Sequence, residues 1–272
     1  MQTQTDAASD YEFIIQLVYA RCRIRLHDGK QQLIKARLGK RMRRHGFETL
    51  GHYCDYLRRT GDEEELTHLV DALTTNYTQF LRERDHFEFL VGTALPSLLG
   101  ERKLFNVWSA ACATGEEPYS IVFYLAEHFP AAGGWEWRVL ATDISTKALA
   151  KARQAIYSED RLQSLPEEWR RKYLQRGQKN WEGHYRVKPS LVERVRFQQI
   201  NLLGDYRFPE LFEVIFCRNV MIYFDRPTQE QLVQRLTQSL APKGYLLIGH
   251  SESINGLNID LRCLRPSIYQ KA

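Results

Sequence analysis

After residue 100 the chain alternates short apolar segments with amphipathic ones. The apolar segments are residues 105–109, 137–142, 195–200, 212–217 and 244–249. Helical signals lie between them, including the amphipathic run from Tyr119 to Glu127 and the stretch from Pro227 to Leu240. Short apolar runs separated by helical segments are typical of parallel strands joined by crossover helices. The pattern therefore predicts a mostly parallel sheet covered by helices on both faces.

The segment from Phe105 to Ser120 contains a candidate ligand-binding loop. Its apolar strand runs into small residues, which are followed by Gly115, two carboxylates and Pro118. Small side chains let a ligand approach the backbone, and proline is favoured in the first turn of a helix. Open α/β sheets hold nucleotide-like ligands at strand–loop–helix units of this kind.

This loop differs from the common phosphate-binding loops. It matches neither G-x-G-x-x-G nor G-x-x-x-x-G-K-[ST], and Glu116 and Glu117 would repel a phosphate group at the start of the helix. The carboxylates suit a ligand with hydroxyl, ammonium or sulfonium groups, and S-adenosylmethionine has all three. The alternative explanation is a helix start with acidic residues that the helix dipole favours.

The next strand of the pattern ends in an acidic residue. Asp143 lies 28 residues after Gly115, near the spacing at which open α/β folds place the carboxylate that binds ribose hydroxyls. An N-terminal helix cap is the alternative role for Asp143, although Ser145 or Thr146 can also cap the next helix.

Two further strands also end in polar residues. Asn201 could bond the edge of an adenine ring whose face Leu202 covers, although a turn asparagine before Gly204 explains the residue nearly as well. Arg218 and Asn219 follow the strand at residues 212–217. Because the carboxyl ends of parallel strands meet at one edge of a sheet, these residues are expected to line one ligand site.

Six short segments form the most specific pattern in the chain. They are TTNYTQFLRE (74–83), TGEEPYS (114–120), ATDIS (141–145), NLL (201–203), FCRNVMIYFD (216–225) and GHSE (249–252). Together they resemble the bacterial chemoreceptor glutamate methyltransferases, the CheR family, over most of the chain from about Leu69 onward. The resemblance implies an α/β fold with a Rossmann-like class I methyltransferase sheet, an N-terminal all-α domain and a small antiparallel β insertion.

The resemblance also implies which residues form the site. The residues expected to bind S-adenosylmethionine are Asn76, Thr78, Arg82, Glu117, Asp143, Asn201, Leu202, Arg218 and Asn219. The motif alignment favours Glu117 over Glu116, although the choice between the two is close. Arg82 and Tyr223 are the candidate catalytic residues. Thr78 and Arg82 are four residues apart and are expected to share one face of a helix. A surface ion pair for Arg82 and a core position for Tyr223 are the alternatives.

The implied reaction is O-methylation of receptor glutamates, and it needs no general base. A glutamate side chain is ionised at pH 7, and the methyl group of a sulfonium is already activated. Catalysis is then mainly positioning, which can contribute roughly 7–11 kcal/mol in favourable cases. An arginine or a tyrosine hydroxyl suits a carboxylate that loses its charge. The expected product is S-adenosylhomocysteine, and no metal is expected.

Charge is concentrated near the N-terminus. The chain has a formal net charge of +5, and ten Lys or Arg residues lie between Arg21 and His45 against one acid, Asp28. These basic residues are expected to coat an exposed surface that attracts polyanions. By analogy with the family, the partner is the acidic methylation helices of transmembrane chemoreceptors, with Arg37, Arg41 and Arg44 as substrate-binding residues. A solvated helix face or nucleic acid would also explain the charge.

Three regions follow from these patterns. Residues 1–70 are expected to form a helical, basic substrate-recognition domain, and residues 71–100 a linker or helix that contributes cofactor contacts. Residues 101–272 are expected to form the methyltransferase domain, with a β insertion around 172–195. The 36 residues from Tyr157 to Val192 exceed a typical connection. In the resembled family such an insertion docks the C-terminal tail of some receptors, and for this chain tail docking is left open.

Other sequence features narrow the function class. The five cysteines are scattered without a C-x-x-C pair, so reduced thiols in the cytosol are expected. The histidines lack metal-binding spacings. The chain is expected to be cytoplasmic, without membrane insertion, and recruited to receptor arrays. A nucleic-acid methyltransferase is the alternative enzyme, but Cys217-Arg-Asn-Val replaces the [DNS]-P-P-[YFW] loop of exocyclic amino methylation. A catalytically silent receptor adaptor is a weaker alternative, and the intact Arg82, Asp143 and Tyr223 argue against it.

Overall fold

The structure, a computed structural model, describes residues 2–26, 31–99, 104–129 and 135–272, with the side chains of residues 2–7 left aside. The chain divides into two compact units. One unit is Met1–Thr75 with Tyr223–Thr228, and the other is Asn76–Ile222 with Gln229–Ala272. Among the described residues, no helix combines the length and apolar character that crossing a membrane requires.

The smaller unit is helical. Its described helices are α1 (Gln2–Cys22), α2 (Gln31–Arg44), α3 (Leu50–Thr60) and α4 (Glu63–Leu73). The Thr49 hydroxyl caps α3 by accepting from the His52 N–H at 3.2 Å, and the Asp62 carboxylate caps α4. The buried apolar side chains of this unit include Ile14, Val18, Ile34, Leu38, Tyr53, Leu57 and Leu69.

The larger unit is built on strands that form two sheets. Its strands are β1 (Leu104–Ser109), β2 (Glu136–Asp143), β3 (Ile156–Ser158), β4 (Leu174–Arg176), β5 (His184–Val187), β6 (Val195–Gln199), β7 (Phe212–Cys217), β8 (Leu240–Ile248), β9 (Leu261–Arg265) and β10 (Ile268–Lys271). The main sheet has the order β6-β2-β1-β7-β8-β10-β9. Strands β6, β2, β1, β7 and β8 are parallel, and β10 is antiparallel to both of its neighbours. The predicted, mostly parallel sheet is confirmed.

Helices accompany the sheet. The remaining described α-helices are α5 (Asp85–Phe89), α6 (Leu95–Leu98), α7 (Glu116–His128), α8 (Thr146–Gln154), α9 (Glu167–Tyr173), α10 (Pro189–Val192) and α11 (Arg226–Ser239). A π-helical turn, Leu90–Ala94, joins α5 to α6. Val107, Val139 and Val214 in the central strands are fully buried, as expected for parallel strands covered on both faces.

The predicted antiparallel insertion is also present. Its small sheet has the order β3-β5-β4, and both pairings are antiparallel. This sheet begins before the segment 172–195 that the sequence indicates, because β3 pairs with β5 through Tyr157 and Tyr185. The sequence pattern in the short β3 strand is too brief to distinguish a strand from the end of the preceding helix.

Candidate functional site

The candidate site lies at the carboxyl edge of the main sheet. Strand β1 lies between β2 and β7 and runs parallel to both, so the loops that follow these strands leave the sheet at one edge. Three polar groups occur at these strand ends: Asp143 closes β2, Arg218 follows β7, and Glu117 lies in the first turn of the helix after β1. All three side chains are buried. This is the place where open α/β sheets hold ligands.

Asp143 connects two of these loops. One carboxylate oxygen accepts the Ala113 N–H and the other the Ser145 N–H, each at 2.8 Å. The helix-cap alternative for Asp143 is wrong, because Ser145 caps α8 by accepting from the Ala148 N–H at 3.1 Å. The carboxylate is therefore held rigidly where the first loop meets the end of β2.

Gly115 allows the first loop to pack closely. Its φ of 99° is left-handed, and a Cβ there would lie 2.6 Å from the Tyr157 hydroxyl oxygen and 2.9 Å from the Ala152 Cβ. The Tyr157 hydroxyl donates to the Thr114 carbonyl oxygen at 2.9 Å. Only glycine fits this conformation and this space.

The two neighbouring glutamates have different surroundings. Glu117 accepts the Ser109 hydroxyl at 2.7 Å and the Arg218 Nε–H at 2.8 Å, so it lies among the strand ends. Glu116 accepts the Thr114 hydroxyl at 2.6 Å and pairs with Arg161. Glu116 is fully buried and is thus occupied by an internal ion pair. This geometry favours Glu117 as the residue that faces a ligand.

Arg161 and Ser164 connect the start of the insertion to the segment before β1. Besides pairing with Glu116, Arg161 donates to the Thr78 carbonyl oxygen at 3.0 Å. The Ser164 hydroxyl donates to the Phe80 carbonyl oxygen at 2.7 Å. The insertion therefore fixes backbone groups of a segment that the sequence assigns to cofactor binding.

The segment around residues 78–82 is not helical. It consists of irregular chain and turns, and Leu81 and Glu83 have left-handed φ angles of 56° and 54°. The expectation that Thr78 and Arg82 share a helix face is therefore wrong. Left-handed residues interrupt a helix, and here distant partners hold the carbonyl oxygens of the segment instead.

The side chains of this segment differ in exposure. Thr78 is buried, whereas Asn76 and Arg82 are half-buried. The Asn76 amide donates to the Ser145 hydroxyl oxygen at 3.3 Å, which joins this segment to the end of β2. The Arg82 guanidinium makes a long contact of 3.5 Å with the Tyr77 carbonyl oxygen. No charged partner of Arg82 is found among the described residues, so the alternative of a surface ion pair with Glu83 or Asp85 finds no support there.

Arg218 is a buried centre of hydrogen bonding. Besides its bond to Glu117, its guanidinium donates to the Arg82 carbonyl oxygen at 2.8 Å and pairs with Glu83 at 3.3 Å. It also donates to His86 Nδ1 at 3.1 Å. Two carboxylates thus compensate the buried cation, as a buried charge requires. Arg218 ties the end of β7 to residues 82–86.

His86 was not anticipated from the sequence. A guanidinium only donates, so Nδ1 must accept and the proton lies on Nε2, which is 2.8 Å from the Ser267 hydroxyl oxygen. Burial and the Arg218 charge lower the pKa of His86 to about 4. The imidazole is therefore neutral at pH 7 and uses both ring nitrogens.

A cluster with metal-ligand types also lies here. Ligand atoms of Glu83, His86 and His250 lie within 4.8 Å of one another. Both nitrogens of His86 are already bonded, and the Arg218 cation is 3.1 Å from one of them. Hydrogen bonding accounts for this cluster, and the adjacent positive charge disfavours a metal ion.

Asn219 has a left-handed backbone held by a distant carboxylate. Its φ is 59°, its N–H donates to Glu252 at 2.8 Å, and its side-chain amide donates to Glu83 at 3.3 Å. Sequence reasoning missed this use of Glu252, although the GHSE motif contains it. A glutamate three residues after Gly249 in that motif was the available signal.

Asn201 adopts a turn. Its side-chain oxygen accepts the Leu203 N–H at 3.1 Å, and its carbonyl oxygen accepts the Gly204 N–H at 2.9 Å. The adjacent Leu202 is buried. The turn explains the choice of asparagine, while contact with an adenine ring stays a prediction for both residues.

Two of the three predicted substrate-binding arginines are engaged inside the helical unit. Arg41 pairs with Glu65, which also accepts the Tyr53 hydroxyl at 2.6 Å. Burial opposes ionisation of Glu65, yet the bonds from Arg41 and Tyr53 hold its pKa below the usual value. Arg37 donates to the Leu73 carbonyl oxygen at 2.9 Å at the end of α4.

The exposed cations of α2 include only one of the three predicted arginines. Arg44 is exposed, as are Lys35, Lys40 and Arg43. Arg37 and Arg41 are only half-exposed, because acceptors within the helical unit hold their guanidinium groups. Their role in substrate binding stays a prediction. The expectation of an exposed surface holds for Arg44.

Tyr223 clusters with the helical unit. It is half-buried in a short 3₁₀ turn, and its carbonyl oxygen accepts the Arg25 N–H at 2.9 Å. Nearby, Asp225 accepts the Tyr19 hydroxyl at 2.7 Å. Bonds from Thr228 and Tyr19 lower the pKa of Asp225 to about 2. The catalytic role of Tyr223 stays a prediction.

Comparison with known protein families is decisive. The family described as "CheR methyltransferase, SAM binding domain" matches residues 76–269, and "CheR methyltransferase, all-alpha domain" matches residues 9–74. The chain belongs to the CheR methyltransferase family. The family resemblance seen in the sequence is confirmed, and S-adenosylmethionine is the methyl donor that its larger domain is described as binding.

Relatives agree over nearly the full length. A chemotaxis protein methyltransferase from Salmonella typhimurium is 43% identical over 270 residues, covering 98% of this chain and 92% of the relative. One from Escherichia coli is 42% identical, covering 98% and 93%. One from Borreliella burgdorferi is 38% identical, covering 95% and 92%.

Proposed function

We propose that this CheR-family methyltransferase transfers a methyl group from S-adenosylmethionine to side-chain carboxylates of specific glutamates on chemotaxis receptors. The observation that carries the proposal is the set of buried polar groups, Glu117, Asp143 and Arg218, at the carboxyl edge of the sheet in the matched SAM-binding domain. The relatives are named chemotaxis protein methyltransferases, which supports a substrate of the chemotaxis system. The receptor glutamates come from the family resemblance. The product would be a glutamate methyl ester, together with S-adenosylhomocysteine.

The proposed donor contacts come from five segments of the chain. They are Asn76, Thr78, Arg82, Glu117, Asp143, Asn201, Leu202, Arg218 and Asn219. Asp143 suits the ribose hydroxyls, because its carboxylate is a buried charged acceptor held at the end of β2 by the Ala113 and Ser145 N–H groups. Glu117 suits the positive end of the donor. Arg218 donates hydrogen bonds to Glu117 and to the Arg82 carbonyl oxygen. We therefore propose that it also orients Glu117 and residues 82–86.

The chemistry proposed for this site is positioning of two charged reactants. The acceptor glutamate is ionised at pH 7 and attacks the methyl carbon in line, while the sulfonium leaves as a neutral thioether. Arg82 is proposed to hold the carboxylate, since its own contact to Tyr77 is long and no described carboxylate neutralises it. The Tyr223 hydroxyl is the second proposed carboxylate contact.

The proposed receptor contact uses the exposed cations of α2. Lys40, Arg43 and Arg44 are exposed near the end of this helix, and such a group attracts an acidic helix through its summed field. Arg44 belongs to the predicted trio of Arg37, Arg41 and Arg44, and receptor contact by Arg37 and Arg41 stays a prediction. Docking of a receptor C-terminal tail on the insertion stays a second, separate prediction, as does recruitment to receptor arrays.

The test is transfer of labelled methyl groups. The protein is incubated with labelled S-adenosylmethionine and either receptor-containing membranes or nucleic acid. Label on receptors that is released by mild base indicates a carboxyl ester and supports the proposal. Label on nucleic acid, or base-stable label on receptors, would contradict it.

A variant pair examines the role of Arg82. Arg82→Ala should reduce transfer severely, whereas Arg84→Ala should retain it. Arg84 is a matched control because it bonds the Tyr124 hydroxyl at 3.1 Å and pairs with Glu88 on the neighbouring helix. Equal activity of the two variants would remove Arg82 from the proposed mechanism.

A further inference from the structure

Glu252, the last residue of the GHSE motif, is a buried carboxylate surrounded by backbone donors. One of its oxygens accepts the Asn219 N–H at 2.8 Å and the Gly249 N–H at 2.7 Å. The other accepts the Met221 N–H at 2.7 Å. A single side chain thus satisfies N–H groups from the ends of two neighbouring parallel strands, β7 and β8.

Gly249 is required for this arrangement. A Cβ at position 249 would clash with the Asn219 amide nitrogen and would lie 2.9 Å from both the Asn219 backbone nitrogen and the Glu252 carboxylate. The close approach brings the segment after β7 within reach of Glu252. The glycine and the glutamate of the motif therefore serve one structural purpose.

The bonded segment is not an ordinary turn. Asn219 has a φ of 59°, a conformation that costs a non-glycine residue free energy unless its surroundings hold it. Directly before it stands Arg218, whose bonds to Glu117 and Arg82 were described above. The backbone geometry at residue 219 therefore decides where the side chains of residues 218 and 219 point.

We infer that Glu252 is a positioning residue of the methyl-donor site, which acts by fixing the backbone of residues 219–221. The inference rests on the proposed function, because it takes Arg218 and Asn219 as parts of the donor site. Glu252 itself needs no contact with the donor. Its two oxygens together match three N–H groups, and a glutamine cannot do so, since its NH₂ group would face a backbone donor.

The test compares Glu252→Gln with the control Glu127→Gln. Glu127 is a partly buried glutamate of the same unit, which accepts the Tyr173 hydroxyl at 2.5 Å and the Lys172 ammonium at 2.8 Å. The first readout is the affinity for S-adenosylhomocysteine by calorimetry. We expect Glu252→Gln to weaken it roughly tenfold to a hundredfold, in line with small misplacements of site groups. Glu127→Gln should leave it unchanged.

The second readout is the amide NMR spectrum of the unliganded protein. Loss of the carboxylate should move the amide protons of Asn219, Met221 and Gly249 upfield, since bonds to charged acceptors are shorter and stronger. Thermal unfolding of both variants checks that they fold. If Glu252→Gln does not fold, Glu252→Asp, which keeps the charge on a shorter stem, supplies the same two readouts.

The outcomes are separable. Weakened binding together with shifted amides supports the inference. Shifted amides with wild-type affinity would overturn the positioning role, and unshifted amides would overturn the hydrogen bonding itself. If the wild-type protein fails to bind S-adenosylhomocysteine while the amides shift as expected, the proposed function fails and the bonding by Glu252 stands.

Discussion

The neutral state of His86 predicts a specific loss of stability in acid. Its pKa is lowered from 6.5 to about 4 by burial and by the Arg218 charge. The other charged or titratable groups that act on it are Asp85, Glu83 and His250. Below the ordinary pKa the unfolded chain binds a proton that the folded chain does not. The stabilisation is therefore complete above pH 6.5 and is lost as the pH falls towards 4.

The magnitude follows from this difference in pKa. At about pH 5 most unfolded chains carry a proton on residue 86, whereas few folded chains do. Proton linkage then lowers the free energy of unfolding by about 2 kcal/mol relative to about pH 8. Replacing His86 with a residue that cannot titrate should remove this part of the pH dependence.

The assay uses the tryptophans of the chain. All five lie between Trp108 and Trp181, within the larger unit. Tryptophan fluorescence during urea unfolding therefore follows the unit that contains His86. Unfolding is measured at about pH 8 and about pH 5 for the wild type and for His86→Asn, whose side-chain oxygen can still accept from Arg218.

The quantity compared is the loss in free energy of unfolding between the two pH values, in the wild type and in His86→Asn. The wild type should lose about 2 kcal/mol more than the variant between the two pH values. Contributions of other acids cancel in this difference, and so does the general cost of the substitution. Equal losses in the two proteins would refute the assignment of a neutral, buried His86.

Three further results are expected. Asp143→Ala should weaken S-adenosylhomocysteine binding roughly tenfold to a hundredfold in calorimetry, because a charged acceptor is lost; unchanged affinity would exclude a ribose contact. Glu65→Gln should lower the free energy of unfolding of the helical unit by about 3 kcal/mol, since Arg41 loses its buried partner; circular dichroism during urea unfolding checks this. Replacing Arg43 and Arg44 with alanine should flatten the salt dependence of receptor methylation without changing donor affinity, and an unaltered slope would count against the receptor surface.

The sheet was predictable because its signal is local. Apolar runs of strand length followed by a polar residue recur along the larger unit, and β1, β2 and β7 each follow this pattern. Burial on both faces of a parallel sheet requires such runs. The position of Asp143 at the end of β2 follows directly.

The conformation around Arg82 was not predictable from local sequence. Residues 78–83 contain good helix formers, yet Leu81 and Glu83 are left-handed. The carbonyl oxygens that a helix would satisfy internally are bonded by Arg161 and Arg218, which lie far away in the sequence. Tertiary partners thus override local helix propensity.

The sequence contains a signal for the internal contacts of Arg37 and Arg41, which a count of basic residues does not reveal. They follow the buried Ile34 by three and seven residues, the spacing of one helix face. Two cations on an apolar face indicate internal acceptors. Arg44 continues the same face ten residues after Ile34, but it is the last residue of α2 and is exposed.

The bonds made by Tyr157, Arg161 and Ser164 have a consequence for engineering. These residues begin the insertion, yet they donate hydrogen bonds to the carbonyl oxygen of Thr114, next to Gly115, and to those of Thr78 and Phe80. Deleting the whole insertion to obtain a smaller enzyme would therefore also remove these hydrogen bonds. Chimaeras between homologues should therefore exchange the hairpin formed by β4 and β5 and keep the residues from Tyr157 to Ser164.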